Sequence, residues 1–295
     1  MSLNNISDLS VKPVLAGLLL ILCLVLFNNN IIAQDGWYVN TNLQLAGGNF
    51  IYNTNSNIIS LYGGLRYQTD NFGISFSIPV VGNNNNSISQ AGGMMVPIGN
   101  STNGSGNMTG SSNGNSMMGD NTNSMMGSGS LSGMNVGLGD LFLLSNYQLI
   151  SENDFFSDVI LNAQIKIPTA STHMGIGTGQ FDYGTSLTFR KSFDTYVAIV
   201  DLGYLNLGDP SGFTYENPFT YSFGIGKFFN DGEYSLLLYY SAYTEVAKGY
   251  QPPRQLSLGL NCKAGERLYL TGIAGAGLSN FSPAYSFSVG VKFGI

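Results

Sequence analysis

Charged side chains are scarce in this chain: only 9% of its 295 residues are Asp, Glu, Lys or Arg, against about 25% in an ordinary soluble domain. The formal net charge is −6 and no basic run occurs. Proteins that bind nucleic acid present a basic face, so the composition excludes nucleic acid as a partner. Long apolar runs are also absent after the N-terminus, whereas Gly, Tyr and Phe are plentiful. This composition is typical of a barrel with a lipid-facing wall.

Histidine and cysteine are nearly absent, which limits catalysis and cross-linking. The one histidine, His173, lies in a loop beside Ser171 and Thr172. Some twelve-stranded barrels are lipid-modifying enzymes with a Ser-His arrangement. Serine is abundant in this chain, so a serine next to the histidine is no evidence for such a site. We therefore predict that the protein is not an enzyme and has no cofactor. Cys23 falls in an N-terminal apolar run. Its removal leaves Cys262 alone, so no disulfide framework is possible.

The N-terminus carries the features of an export signal. Lys12 precedes an apolar run over residues 13–27, and Ala33 offers a small residue before a cleavage point. These features predict a signal peptide over residues 1–33 and a mature domain over 34–295. A lipoprotein anchored at Cys23 and an uncleaved helix are the alternatives.

The mature chain alternates between apolar and small or polar residues. The last segment, AYSFSVGVKFGI over 284–295, has Tyr285 and Phe287 on one side and Ser286 and Ser288 on the other. Successive side chains of a strand point to opposite faces. About ten residues cross a bilayer as a tilted strand. The pattern predicts an all-β, antiparallel, up-and-down transmembrane barrel with twelve strands, at about 37–46, 58–68, 71–80, 138–150, 157–168, 181–191, 195–205, 218–228, 233–243, 254–263, 267–277 and 284–295.

The connections alternate as well, short after even strands and mostly longer after odd ones. Outer-membrane barrels have short periplasmic turns and longer outer loops. We therefore expect a location in the outer membrane of a Gram-negative-type bacterium, contact with its lipids, and insertion by the barrel-assembly machinery.

The second side of the strands carries most of the strand charges, whereas Lys191, Lys227 and Arg254 lie on the other side near strand ends, where long side chains can reach the interface. Lys or Arg facing lipid at mid-bilayer costs about 2–4 kcal/mol, so the charged side chains of the second side are expected to face a polar lumen. The predicted pore-lining residues are Arg66, Asp140, Asn146, Asn162, Gln164, Lys166, Asp182, Arg190, Asp201, Lys263 and Lys292.

Residues 82–134 interrupt the pattern with Asn, Ser, Gly and Met. Such a stretch cannot bury enough apolar surface to fold alone, so we predict a disordered outer loop. Its methionines include Met94, Met95, Met117, Met118, Met125 and Met126. Thioethers select Cu(I), which makes a copper-capturing loop one hypothesis. A low-complexity expansion with Met as a tolerated residue is the other.

From Gly139 onward the chain resembles the MetA-pathway of phenol degradation family of outer-membrane proteins. The matching residues are Gly139–Leu141, Lys166–Thr169, Gly175–Gly184, Leu202–Tyr204 and Leu207–Pro210. The resemblance implies a transporter-like barrel for aromatic compounds and carries over no catalytic residues. Two departures are the long insert and a C-terminal Ile295 where barrels of this class usually end in an aromatic residue.

These observations predict a channel or transporter that passes small solutes, with aromatic or apolar solutes suggested by the resemblance alone. A twelve-stranded lumen is narrow compared with that of larger porins, which favours a selective slot. A metal-capturing surface barrel and a structural or lipid-modifying barrel are the alternatives.

Overall fold

A computed structural model describes residues 35–51, 55–85, 88–97 and 134–295 of the chain. These residues form 15 strands and one short 3₁₀ turn at Asn230–Gly232. None of the helical structure in the described residues is long and apolar enough to cross a membrane. The strands are β1 Gly36–Gly48, β2 Ser56–Gln68, β3 Phe72–Asn83, β4 Ile88–Ala91, β5 Met94–Pro97, β6 Asn135–Leu138, β7 Leu141–Ile150, β8 Asp158–Ile167, β9 Asp182–Phe193, β10 Tyr196–Asn206, β11 Phe219–Phe229, β12 Tyr234–Tyr243, β13 Arg254–Lys263, β14 Leu268–Gly277 and β15 Tyr285–Gly294.

The wall of the molecule is a closed antiparallel cylinder. Its first and last strands pair along their length, from Tyr38 opposite Gly294 to Gly47 opposite Tyr285. Every other wall strand pairs with its neighbours in the chain, and β6 and β7 both pair with β3. Counting β6 and β7 as one strand gives the twelve-stranded barrel that the sequence predicted. Closure leaves no unpaired strand edge facing lipid.

The predicted strand boundaries agree with the structure to within three residues at nearly every position. The fourth strand differs, because Gly139 and Asp140 divide it into β6 and β7. The side chain of Asp140 accepts the Ala170 N–H at 2.9 Å, and the Gly139 N–H bonds the Pro79 carbonyl at 2.8 Å. The fourth wall strand is therefore interrupted at Gly139 and Asp140, where the backbone N–H bonds Pro79 and the carboxylate bonds Ala170.

Apolar side chains cover the outer surface. In β15 the outward Tyr285, Phe287 and Val289 are exposed and the alternate positions are partly or fully covered, as the two-residue period predicts. The same holds around the wall, with exposed Leu43, Leu65, Phe76, Leu258, Phe287 and Val289. An apolar band of this extent on a closed barrel is what a bilayer covers.

The two ends of the barrel differ. The turn end carries the start of β1, the end of β15 and short connections such as 69–71 and 194–195. The loop end carries longer connections, such as 168–181, 207–218 and 244–253.

Part of the predicted outer loop over residues 82–134 belongs to the wall and the lumen of the barrel. Residues 82 and 83 complete β3, and β4 and β5 form a two-stranded hairpin inside the loop end of the barrel. Ala91 and Val96 of this hairpin are 0% exposed. The prediction was wrong for residues 88–97 because the barrel wall supplies the apolar surface that this segment lacks. Residues 98–133 lie outside the described residues.

A lysine introduced on each face of one strand tests the assignment of outside and inside. Leu258→Lys is expected to lower the free energy of unfolding by about 2–4 kcal/mol, because it places an ammonium group in the hydrocarbon region. The adjacent Ser257 points into the lumen, so Ser257→Lys should change the free energy of unfolding by less than about 1 kcal/mol. Urea unfolding in lipid vesicles, followed by the fluorescence of the single Trp37, measures both. Equal effects of the two changes would contradict the assignment.

Candidate functional site

The β4–β5 hairpin occupies the lumen at the loop end. Its two-residue turn, Gly92-Gly93, has φ of 54° and 84°, the left-handed region that such turns require. A Cβ on Gly92 would lie 2.9 Å from side-chain atoms of both Leu205 and Leu207, so the turn also needs glycine for its close approach to the wall. The pair of glycines between two four-residue strands is the sequence signal for a two-residue hairpin turn.

Apolar contacts hold both faces of the hairpin. Ala91, Met94 and Val96 pack with Leu205 and other residues of the loop end, in a cluster that also contains Leu207, Tyr215, Val246, Ala247 and Phe281. Met95 and Ile88 pack in a second cluster with Ala46, Phe50, Ile58, Val81 and Ile176. The hairpin is thus a continuation of the protein core into the lumen.

The predicted copper ligands Met94 and Met95 are both buried in these clusters. Their thioethers take part in apolar packing, a common role for methionine. The other four predicted ligands, Met117, Met118, Met125 and Met126, lie outside the described residues. Copper capture stays a prediction.

A buried ion cluster fastens the hairpin to the wall. Lys166 Nζ lies 2.7 Å from Asp182 Oδ2 and 3.6 Å from Asp140 Oδ2, and these side chains are 1–3% exposed. The same ammonium donates to Thr178 Oγ1 at 2.7 Å and to the Gln90 carbonyl of the hairpin at 3.2 Å. We call these residues the Lys166 cluster. Three of them were predicted to face the lumen, and the structure brings those three together.

Asp182 joins the hairpin to a second loop. One of its carboxylate oxygens accepts the Gly92 N–H and the other accepts the Gly208 N–H, both at 2.9 Å. Gln164 adds a bond from its side-chain amide to the Gly92 carbonyl at 3.2 Å. Burying charged side chains is costly unless they are paired and hydrogen-bonded, and this arrangement meets both conditions.

A polar cavity of about 560 Å³ lies in the lumen and extends to Gly92 of the hairpin. Five of the predicted pore-lining residues border it: Arg66, Asn146, Asn162, Gln164 and Asp201. Ser186, Thr188, Thr220, Ser222, Tyr239 and Tyr243 add hydroxyl groups to its wall.

Hydrogen bonds link these side chains across neighbouring strands. Arg66 donates to Asn146 Oδ1 at 3.1 Å, and Asn162 donates to Thr188 Oγ1 at 2.9 Å. Thr188 and Tyr239 both donate to the carboxylate of Asp201. The network fixes the side chains against the wall, so the cavity is a preformed space.

Three predicted residues lie toward the turn end. Arg190 pairs with Asp158, which the prediction missed although it shares the lumenal side with Asn162. Lys292 lies over the rings of Tyr38 and Tyr269, and Lys263 stands opposite Tyr269 in the pairing of β13 with β14.

A smaller pocket of about 90 Å³ lies on the other side of the hairpin tip, bordered by Gly93. Tyr243 borders both this pocket and the polar cavity. The hairpin tip and Tyr243 therefore lie between the two cavities.

The described residues give no support to a metal or Ser-His site. Within them, no three His, Cys, Asp or Glu side chains are grouped as metal ligands would be. His173 is exposed in the loop between β8 and β9.

No family model and no curated protein matches this chain, so membership of the MetA-pathway family stays a prediction. Among solved structures, an outer membrane channel from Pseudomonas putida F1 is similar in fold, with a TM-score of 0.60 at 11% identity over 91% of this chain and 98% of that one. The KdgM porin gives 0.48 at 8% identity over 88% and 99%. The toluene transporter TodX of P. putida gives 0.44 at 11% identity over 89% and 91%. The fold is that of an outer-membrane barrel.

Removing the ammonium group tests the role of the Lys166 cluster. Lys166→Met leaves two carboxylates buried without their cation, which costs about 3–5 kcal/mol. We expect the hairpin to detach, so that the amides of Ala91 and Gly92 exchange with deuterium much faster than in the unchanged protein. Arg190→Met is the matched control, because it breaks the other lumenal ion pair without touching the hairpin. Slow exchange at Gly92 in both variants would show that apolar packing alone holds the hairpin.

Proposed function

We propose that the protein is an outer-membrane channel that passes small solutes through its lumen. The observation that carries this proposal is a closed barrel with an apolar exterior and a preformed polar cavity of about 560 Å³ inside it. Small-molecule sites have volumes of about 300–1,000 Å³, so the cavity fits one small solute and not a polymer.

The hairpin makes this channel a selective one. It crosses the lumen at the loop end and leaves a pocket of only about 90 Å³ beside it. A solute that enters from the loop end passes this constriction before it reaches the polar cavity. In this proposal the constriction sets the size limit and the cavity wall sets the chemistry.

The orientation follows from the connections. Short turns face the periplasm in barrels of this class, so the turn end and both termini are assigned to the periplasm. Residues 1–33 would direct export and be removed, and the barrel-assembly machinery would insert the mature chain. No catalytic step is part of the proposal.

Liposome swelling with a graded solute panel tests the channel. The panel contains neutral sugars and polyols of increasing size together with small aromatic solutes, which the family resemblance favours. The unchanged protein should admit small solutes and exclude larger ones. No swelling with any solute would overturn the proposed function.

Deleting residues 88–97 tests the constriction. The variant should swell faster and admit larger solutes, because the hairpin no longer narrows the loop end. Deleting residues 111–120 is the matched control, since it shortens the same connection by the same length and leaves the hairpin in place. Identical size limits in both deletions would contradict a constriction at the hairpin.

A further inference from the structure

Cations and tyrosines alternate around one side of the lumen near the turn end. In the order of neighbouring strands from β13 through β14, β15 and β1 to β2, they are Lys263, Tyr269, Lys292, Tyr38 and Arg66. Lys263 stands opposite Tyr269, Tyr269 opposite Lys292, and Tyr38 opposite Arg66 in the pairing of these strands. We call these five residues the cation belt.

All five side chains point into the lumen. Lys292 shares its side of β15 with Ser286 and Ser288, whereas Phe287 and Val289 on the other side face outward. Arg66 borders the polar cavity directly. The belt therefore lies along the path that a solute takes between the cavity and the turn end.

The belt cations have no carboxylate partners within the described part of the chain. The ion pairs found there join Lys166 to Asp140 and Asp182, Arg190 to Asp158, and Lys191 to Glu152. The guanidinium of Arg66 bonds the amide oxygens of Gln68 and Asn146.

The carboxylates of Glu233 and Asp201 accept hydrogen bonds from other residues. Glu233 adjoins Lys263 through a backbone bond of 2.8 Å, but its carboxylate accepts from Asn230. Asp201, across the cavity, accepts from Thr188 and Tyr239. Three positive charges thus share one side of the lumen, and none of them forms an ion pair within the described residues.

The tyrosine rings keep Lys292 in place against the wall. Its ammonium lies 4.3 Å from the centroid of the Tyr269 ring and 5.0 Å from that of Tyr38. A cation over an aromatic face is attracted to it without using its N–H donors as an ion pair would. The belt therefore presents positive charge and free donor capacity to a solute.

We infer that the cation belt binds the carboxylate of small organic anions and makes the channel anion-selective. A cleft lined by charges of one sign, with low-dielectric walls, concentrates ions of the opposite sign. Arg66 can hold a carboxylate in a two-bond arrangement. A solute held there would extend into the cavity, where Asn162, Thr188 and Tyr239 offer partners for its hydroxyl groups. The preferred solutes are small hydroxylated carboxylates.

This inference rests on the proposed channel function, and recording from single channels in a planar bilayer separates the two. Under a potassium chloride gradient, the reversal potential of the unchanged protein should show chloride favoured over potassium by roughly tenfold, the low end of what focused fields produce. Gluconate, a hydroxylated carboxylate, should reduce the chloride current from the turn side, and sorbitol, its neutral counterpart, should not.

Charge removal locates the selectivity. Lys292→Gln and Lys263→Gln should each lower the chloride preference several-fold, and Lys292→Arg should retain it. Lys263 is exposed, so its replacement tests the charge without disturbing packing. Lys227→Gln is the matched control, because Lys227 also lies over two rings, Tyr196 and Phe229, but on the outward side of β11.

The outcomes are distinct. Channels without chloride preference, or a preference that Lys227→Gln removes equally, would overturn the cation belt and leave the channel intact. A protein that forms no channels would overturn the proposed function itself.

Discussion

The pairing of β1 with β15 is the constraint on which the rest of the structure depends. In an apolar environment each unpaired backbone group costs several kcal/mol, so a sheet is stable there only when its edges meet. Ten residue pairs, from Tyr38–Gly294 to Gly47–Tyr285, close this one. Closure creates a lumen, and Lys166, Asp182 and Arg66 face this lumen and not the apolar outer surface.

The lumen is organised from the loop end downward. The hairpin and the Lys166 cluster fill the first level, the polar cavity lies next, and the cation belt follows toward the turn end. The charged side chains have different partners at each level. In the Lys166 cluster the charges are paired and buried, around the cavity they are hydrogen-bonded, and the lysines of the belt form no ion pair within the described residues. This gradation supports a path on which a solute meets size selection before charge selection.

The wall could be predicted from sequence because a strand with lipid on one side repeats every two residues. Leu258 and Ser257 show the rule, since their exposure follows directly from their parity. The inward position of Lys166 could be predicted in the same way. Its partners could not, because a two-residue period carries no information about which strands and loops meet. The hairpin had no such period. β4 and β5 have four residues each, are buried on both faces, and lie within a stretch whose composition is that of a loop.

The bonds of the hairpin also constrain the order in which the molecule assembles. Gly92 bonds Asp182 and Gln164, Gln90 bonds Lys166, Ser89 bonds Ile176, and Pro97 bonds Tyr215, at separations of 72–118 residues toward the C-terminus. Synthesis and export deliver the hairpin before any of these partners. Loop closure over such distances is slow and follows the formation of local contacts. The hairpin would therefore dock late, after β10 and the loop that carries Tyr215 have formed, and until then the loop end of the lumen would lack the segment that narrows it.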